Sequence, residues 1–451
     1  MRFFLLFALL LSGSLLFSCT SDDPEPAVDA VAHQSLATEM TNSLRRHVLD
    51  PWYPHSIDED HGGFLTRYTH DWEPEGPQDK MIVTQARLVW TASRATEFFP
   101  EDETLLSSAE HGYHFLKDVM WDQEYGGFYT QVTREGEVMR QADGRIVKEA
   151  YGTAFSIYAL AAYAEATGDE PALELAIKAF HWLEQHSYDP QYGGYFNYMQ
   201  RDGTPYKTGY DGTPPKDQNS SIHLLEAFSE LYTVWPDPLL KERLTEMLAL
   251  IRDTIREDPG HLTLFSNADW TPVSYRDSSD AVREENYYFD HVSFGHDVET
   301  AYLMLEASEV LGIEDDSLTH LYAKQMVDHS LANGWDKEVG GFYTGGYYFP
   351  GESGITIVRD NKNWWSQAEG MNTLLLMASL YPDSPQEYQA KFNTLWLYTK
   401  EYLIDDNYGG WYEWGIDKTP ESQYEAKGHI WKTNYHDGRT MMNIIKRVEE
   451  E

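Results

Sequence analysis

The chain has 451 residues, of which 41% are hydrophobic and 14% aromatic. That is enough apolar material for a packed core and too much for a disordered chain. With 34 basic and 74 acidic residues the formal charge is −40, and a surface this acidic repels nucleic-acid phosphates and anionic lipid headgroups, so neither is expected as an electrostatic partner.

The first segment in chain order reads as an export signal. Met1-Arg2 is a minimal positive start, Phe3 to Leu11 is a continuous apolar run, and Leu16-Phe17-Ser18-Cys19 has the form of a bacterial lipobox. The apolar run is too short for a good transmembrane helix. Residues 1–18 are therefore expected to be a lipoprotein signal peptide, with Cys19 as the lipid anchor. Cys19 is the only cysteine, so no internal disulfide can form. Residues 19–38, which include the acidic, Pro-containing stretch Thr20 to Ala27, are expected to be a tether, and 39–451 the catalytic domain. No later run is long and apolar enough to span a bilayer. The expected location is outside the cytoplasm, on the periplasmic or cell-surface side of a bacterial membrane, held only through lipid at Cys19. The expected state is a monomer.

A repeat governs the rest. Gly-Gly followed by an aromatic residue occurs at Gly62-Gly63-Phe64, Gly126-Gly127-Phe128, Gly193-Gly194-Tyr195, Gly340-Gly341-Phe342 and Gly409-Gly410-Trp411. The steps are 64, 67, 147 and 69 residues; the long one is two periods, with Pro259-Gly260-His261-Leu262 where the degenerate copy belongs. After each unit comes a stretch with helical apolar spacing, and these align on Arg87, Thr153, His223, Glu299, Glu369 and Arg439. Further helical runs lie between them, such as Ala172 to His186 and Lys241 to Arg256. Each unit of about 70 residues is thus a helix pair with a Gly-rich loop. Helix-pair solenoids use shorter repeats, roughly 34 to 47 residues, so a closed, all-α (α/α)6 barrel is the expected fold. The Gly-Gly pairs are expected to supply positive φ in tight turns, a structural role.

In a closed barrel the aligned helix starts face one cavity, and their residues are unusually chemical. Arg87 and His223 stand in two of them. His296 precedes Glu299 by one turn, Trp364 and Trp365 precede Glu369, and His436 precedes Arg439. Residues three apart share a helix face, so His296–Glu299 and His436–Arg439 are expected neighbours. A single histidine at a helix start is usually a satisfied polar residue, but three histidines, an arginine and two glutamates in equivalent positions of one repeat are not readily structural. His55, His61, His70, His181 and His186 share no such register. Metal ligation is not expected: the HExxH order and any cysteine cluster are missing. Nucleotide-binding glycine loops and a Gly-x-Ser-x-Gly elbow are missing too.

Asp58-Glu-Asp-His-Gly-Gly-Phe64, Gly295-His-Asp-Val-Glu299, Trp364-Trp-x-Gln-Ala-Glu369 and Trp431-Lys-x-x-Tyr-His-x-Gly-Arg439 together resemble the N-acylglucosamine 2-epimerase superfamily, and within it the cellobiose 2-epimerases. The resemblance runs over most of residues 40–450. It implies an (α/α)6 barrel, no cofactor, and a disaccharide or oligosaccharide substrate epimerised at C2 of its reducing-end sugar. It also implies roles: His296 and His436 as the acid/base pair, Glu299 as the carboxylate beside His296, and Arg87 and His223 on the C1–C2 oxygens. Trp365 and Trp431 would pack on the sugars, and Trp364, Glu369 and Asn219 would complete the substrate site. Inversion at C2 through an enediolate needs a proton removed from one face and returned to the other, which two histidines can do near neutrality. Alternatives remain: an aldose–ketose isomerase using the same enediolate, a glycoside hydrolase of the same barrel class with Glu299 and Glu369 as its carboxylates, or a lipid-anchored glycan-binding protein.

Overall fold

The computed structural model describes residues 28–450, with side chains from residue 34 onward. The export signal, Cys19 and the stretch Thr20 to Ala27 lie outside the described residues. Helices dominate: α1 Val28–Ser43, α2 Ile82–Ala95, α3 Glu103–Phe115, α4 Ala150–Thr167, α5 Glu170–His186, α6 Gln218–Val234, α7 Pro238–Leu250, α8 Asp280–Asp290, α9 Phe294–Val310, α10 Ser317–Asn333, α11 Trp364–Leu380, α12 Tyr388–Tyr402 and α13 Tyr435–Glu450. None is long and apolar enough to cross a membrane.

Six of them form an inner ring. α2 packs on α4, α4 on α6, α6 on α9, α9 on α11, α11 on α13, and α13 returns to α2. Outside this ring α3, α5, α7, α10, α12 and α1 each pack chiefly on one inner partner. The (α/α)6 barrel expected from the repeat is the observed fold. The sequences differ as their positions require. α4 is buried without interruption from Ala150 to Ala164, because an inner helix is covered on every side. Outer α5 buries a stripe, Leu175, Ala176, Ala179, Phe180 and Leu183, and leaves polar residues outward.

The barrel starts earlier than the sequence suggested. Residues 28–38, assigned there to the tether, already belong to α1. Ala37, Met40 and Leu44 recur at three and four along the chain and are buried, a stripe that seats α1 against α13. The first and last helices thereby form the sixth outer–inner pair.

Short antiparallel ribbons stitch neighbouring units together at the helix starts. Lys80-Met81, just before α2, pairs with Gln131-Val132; Val147–Glu149, before α4, pairs with Tyr198–Gln200; Lys216-Asp217, before α6, pairs with Phe265-Ser266. The Gly-Gly turns adopt the positive φ expected of them, as at Gly62 (75°) and Gly63 (64°). A side chain at Gly63 would also meet Gln85 Oε1 at 2.6 Å.

Behind five of these turns sits one repeated buried clamp. A lysine ammonium donates to an aspartate and to the carbonyl of the first glycine: Lys80 with Asp58 and Gly62, Lys148 with Asp122 and Gly126, Lys216 with Asp189 and Gly193, Lys362 with Asp336 and Gly340, Lys427 with Asp405 and Gly409. The degenerate copy lacks it among the described residues. There Gly260 is kept for another reason: a Cβ would lie 2.6 Å from the Gln325 carbonyl oxygen of α10.

Candidate active site

The inner-helix starts enclose a cavity of about 190 Å3, lined by Arg87, Tyr151, Asn219, His223, His296, Glu299, Trp364, Trp365, Trp431 and His436. Nine of the ten residues expected at the site are therefore gathered there. Glu369 is the tenth, and Tyr151 is an addition. They come from the first turns of the six inner helices, except Trp431, which lies in the turn before α13, and side-chain caps hold some of those starts. Asp217 accepts from the Ser220 N–H at 2.6 Å and Asn363 from the Ser366 N–H at 2.8 Å.

Arg87 is held from several directions. Its guanidinium lies over the Phe155 ring at 4.3 Å and the Tyr435 ring at 4.9 Å, and donates to the Tyr151 hydroxyl at 3.1 Å. The side chain is fixed before any ligand arrives. Trp365 packs on two of the histidines: its ring centroid is 4.7 Å from His296 and 5.7 Å from His436. Trp364 is almost wholly buried, whereas Trp431 is 48% exposed on the cavity lip.

Each histidine engages Nδ1, which leaves Nε2 for the cavity. His223 Nδ1 bonds Glu226 at 2.8 Å, His436 Nδ1 bonds Glu369 at 2.7 Å, and His296 Nδ1 bonds Ser293 Oγ at 2.7 Å. Two expectations need correction here. Glu299 does not back His296, although they are one turn apart. It accepts from Arg439 Nη2 at 2.6 Å and lies 3.8 Å from His436 Nδ1. Glu369 does not line the substrate cavity; it sits behind His436, fully buried. Both carboxylates turn toward Arg439, because a buried guanidinium is the strongest nearby partner for a charge removed from water.

Arg439 is the hub. It pairs with Glu226, Glu299 and Glu369 at once, and the Tyr435 hydroxyl donates to Glu226 as well. Glu226 and Ser293 were missed in the sequence. Glu226 stands three residues after His223, the same spacing that marked His296–Glu299 and His436–Arg439, so the signal was present. Ser293 reads as an ordinary helix cap.

Burial dominates the electrostatics. It lowers His223 and His436 well below the usual imidazole range, helped by the positive Arg87, and takes His296 down to about 3. It pushes Glu299 up to about 8 and raises Glu369 well above the carboxylate range, the latter also through repulsion from Glu299. In the His436–Glu369 pair both partners are driven toward their neutral forms. The pair therefore holds one proton, whichever atom carries it.

Glu299, Glu369 and His436 bring ligand atoms within 4.8 Å of one another, a grouping that could suit a metal ion. Arg439 already donates into both carboxylates. The chain's own cation thus spends the charge that a metal would need.

Residues 62–436 match the N-acylglucosamine 2-epimerase (GlcNAc 2-epimerase) family. The chain belongs to that family. Its relatives include a cellobiose 2-epimerase of Ruminococcus albus, 30% identical over 91% of this chain and 99% of the relative. Another cellobiose 2-epimerase, from Bacteroides fragilis, is 27% identical over 91% of this chain and 98% of its own. Among solved structures, cellobiose 2-epimerase from Spirochaeta thermophila superposes with a TM-score of 0.80 at 29% identity, covering 94% of this chain and 99% of that one. The epimerase family member described here thus matches its relatives over nearly their whole length.

Proposed function

We propose that this epimerase inverts C2 of the reducing-end sugar of a β-linked disaccharide such as cellobiose, giving glucosyl-mannose. The observation that carries the reading is the set of three histidines around one small cavity, two buried and His296 partly so, each with Nδ1 engaged and Nε2 left for a ligand. Near-full-length likeness to cellobiose 2-epimerases supports the substrate class.

The chemistry follows from the groups present. Once the sugar ring opens, the C2 proton is acidified by the adjacent aldehyde. One histidine removes it, the electrons pass into a C1–C2 enediolate, and a second histidine returns a proton to the opposite face. His436 and His296 are assigned to this pair, since they reach the cavity from two different inner helices, α13 and α9, and both pack on the Trp365 ring. Glu369, rather than Glu299, supports His436. Arg87 meets the enediolate oxygens with pre-placed donors, which is where such sites gain most of their rate, and His223 takes a sugar hydroxyl beside them. Trp431 on the lip packs on the second sugar. No metal or cofactor has a part in this scheme.

Proton NMR of the purified protein with cellobiose tests it. Glucosyl-mannose supports the proposal, a ketose moves the assignment to aldose–ketose isomerisation, and free glucose moves it to hydrolysis. The N-terminal sequence supports a second proposal: export, and attachment to a membrane through lipid at Cys19. Cys19→Ala would then release the protein into the soluble fraction.

A further inference from the structure

Three histidines share one cavity, but they are not held alike. His223 faces Glu226, which also takes protons from Arg439 and the Tyr435 hydroxyl. A carboxylate paired with a guanidinium and already accepting from the tyrosine acts only as an acceptor, so the His223 proton is on Nδ1 and Nε2 turns a lone pair to the cavity. His436 is likewise backed by a carboxylate. His296 has no carboxylate; its partner is the Ser293 hydroxyl at 2.7 Å.

Ser293 occupies the N-cap position of α9 and does not cap it. A serine there normally accepts from a backbone N–H of the first turn, as Asp217 and Asn363 do for α6 and α11. The Ser293 hydroxyl is spent on the imidazole instead, in a place that is nearly solvent-free. It has no other hydrogen-bond acceptor among the described residues. A hydroxyl whose sole partner is a ring nitrogen makes its best use of its proton by donating it. That places the lone pair of His296 on Nδ1 and its proton on Nε2, toward the cavity.

We propose that Ser293 is a positioning residue that holds resting His296 in the Nε2–H tautomer, opposite to His223. The cavity wall then offers a substrate one imidazole N–H donor at His296 and a lone-pair acceptor at His223. The donor suits a carbonyl or enediolate oxygen, and the acceptor suits a sugar hydroxyl. One neutral residue type can present both because the tautomer is set from behind. The tautomer claim rests on geometry alone; its consequence for turnover rests on the epimerase reading.

Nitrogen-15 NMR of the purified protein labelled at histidine tests the claim directly. Ring-nitrogen signals of His296 and His223 are assigned by their loss in His296→Gln and His223→Gln. The expected pattern is protonated Nε2 with bare Nδ1 for His296, and the reverse for His223. In Ser293→Ala the His296 pattern should lose this preference, and Ser293→Thr should restore it. Because Ser293 makes no cap bond, Ser293→Ala should melt within a degree or two of the parent. Its kcat on cellobiose should fall about tenfold or more, with KM changing less, as expected when a ring is left in the wrong tautomer. A native His296 protonated at Nδ1, or a pattern unmoved in Ser293→Ala, overturns the proposal. A native protein inactive on cellobiose but with the expected nitrogen pattern would sink the epimerase reading and leave the tautomer assignment standing.

Discussion

His436 and Glu369, on α13 and α11, form one acid–base unit, with the ring Nδ1 2.7 Å from the carboxylate Oε1. The carboxylate is buried and also takes Arg439 at 2.7 Å. Glu369→Gln keeps the shape and removes the group that shares a proton with the ring. On cellobiose, kcat should fall about 10²–10⁴-fold while KM moves much less. Steady-state kinetics giving near-native kcat would remove Glu369 from the mechanism.

The buried clamps make a prediction about stability alone. In Lys427→Met, Asp405 keeps its burial but loses its ammonium partner, 2.5 Å away. Breaking a buried pair from one side costs about 3–5 kcal/mol, to be read from the urea midpoint. Lys427→Met/Asp405→Asn should recover part of it. The clamp lies behind a Gly-Gly turn, so kcat per folded molecule should be unchanged.

Glu306, at the far end of α9, sets part of the pH dependence of folding. Burial pushes its carboxyl up to about 7, although the Tyr302 hydroxyl donates to it at 2.7 Å. The folded state therefore binds this proton more tightly than the unfolded state. The stabilisation is fully present below the ordinary glutamate value and is lost as pH rises through about 7. Glu306→Gln should flatten the decline in unfolding free energy between about pH 5 and pH 8.5 by on the order of 2 kcal/mol. An unchanged slope would show that Glu306 titrates normally.

Trp431 stands half exposed on the cavity lip, where a second sugar ring would lie. Trp431→Ala should raise KM for cellobiose about 2–10-fold, the worth of one aromatic contact, with little change in thermal stability. An equal loss with a free monosaccharide would mean that Trp431 serves the reacting sugar instead.

Much of this was legible in the chain. The Gly-Gly period and the aligned helix starts depend on local spacing, and they led to the barrel and to most of the cavity wall. Partnerships were harder. The one-turn rule predicts that His296 and Glu299 share a face, and they do. It cannot predict that Arg439, 140 residues away in sequence, outcompetes the ring for that carboxylate. Glu369 has the same history: beside two tryptophans it reads as a sugar contact, but the fold turns it to His436. Ser293 could not be found from sequence, because a serine before a helix is already explained as a cap. The start of α1 was hidden for a different reason, since its apolar stripe has meaning only against the last helix of the chain.

The most direct test of the central claim is turnover of cellobiose by the purified protein in D2O, stopped early and read by NMR. Proton transfer through two histidines on opposite faces predicts glucosyl-mannose carrying deuterium at C2, with protium still at C2 of the unreacted cellobiose. Glucosyl-mannose that keeps its original C2 protium would contradict the account, because the proton would then have been carried across by a single group or never exchanged.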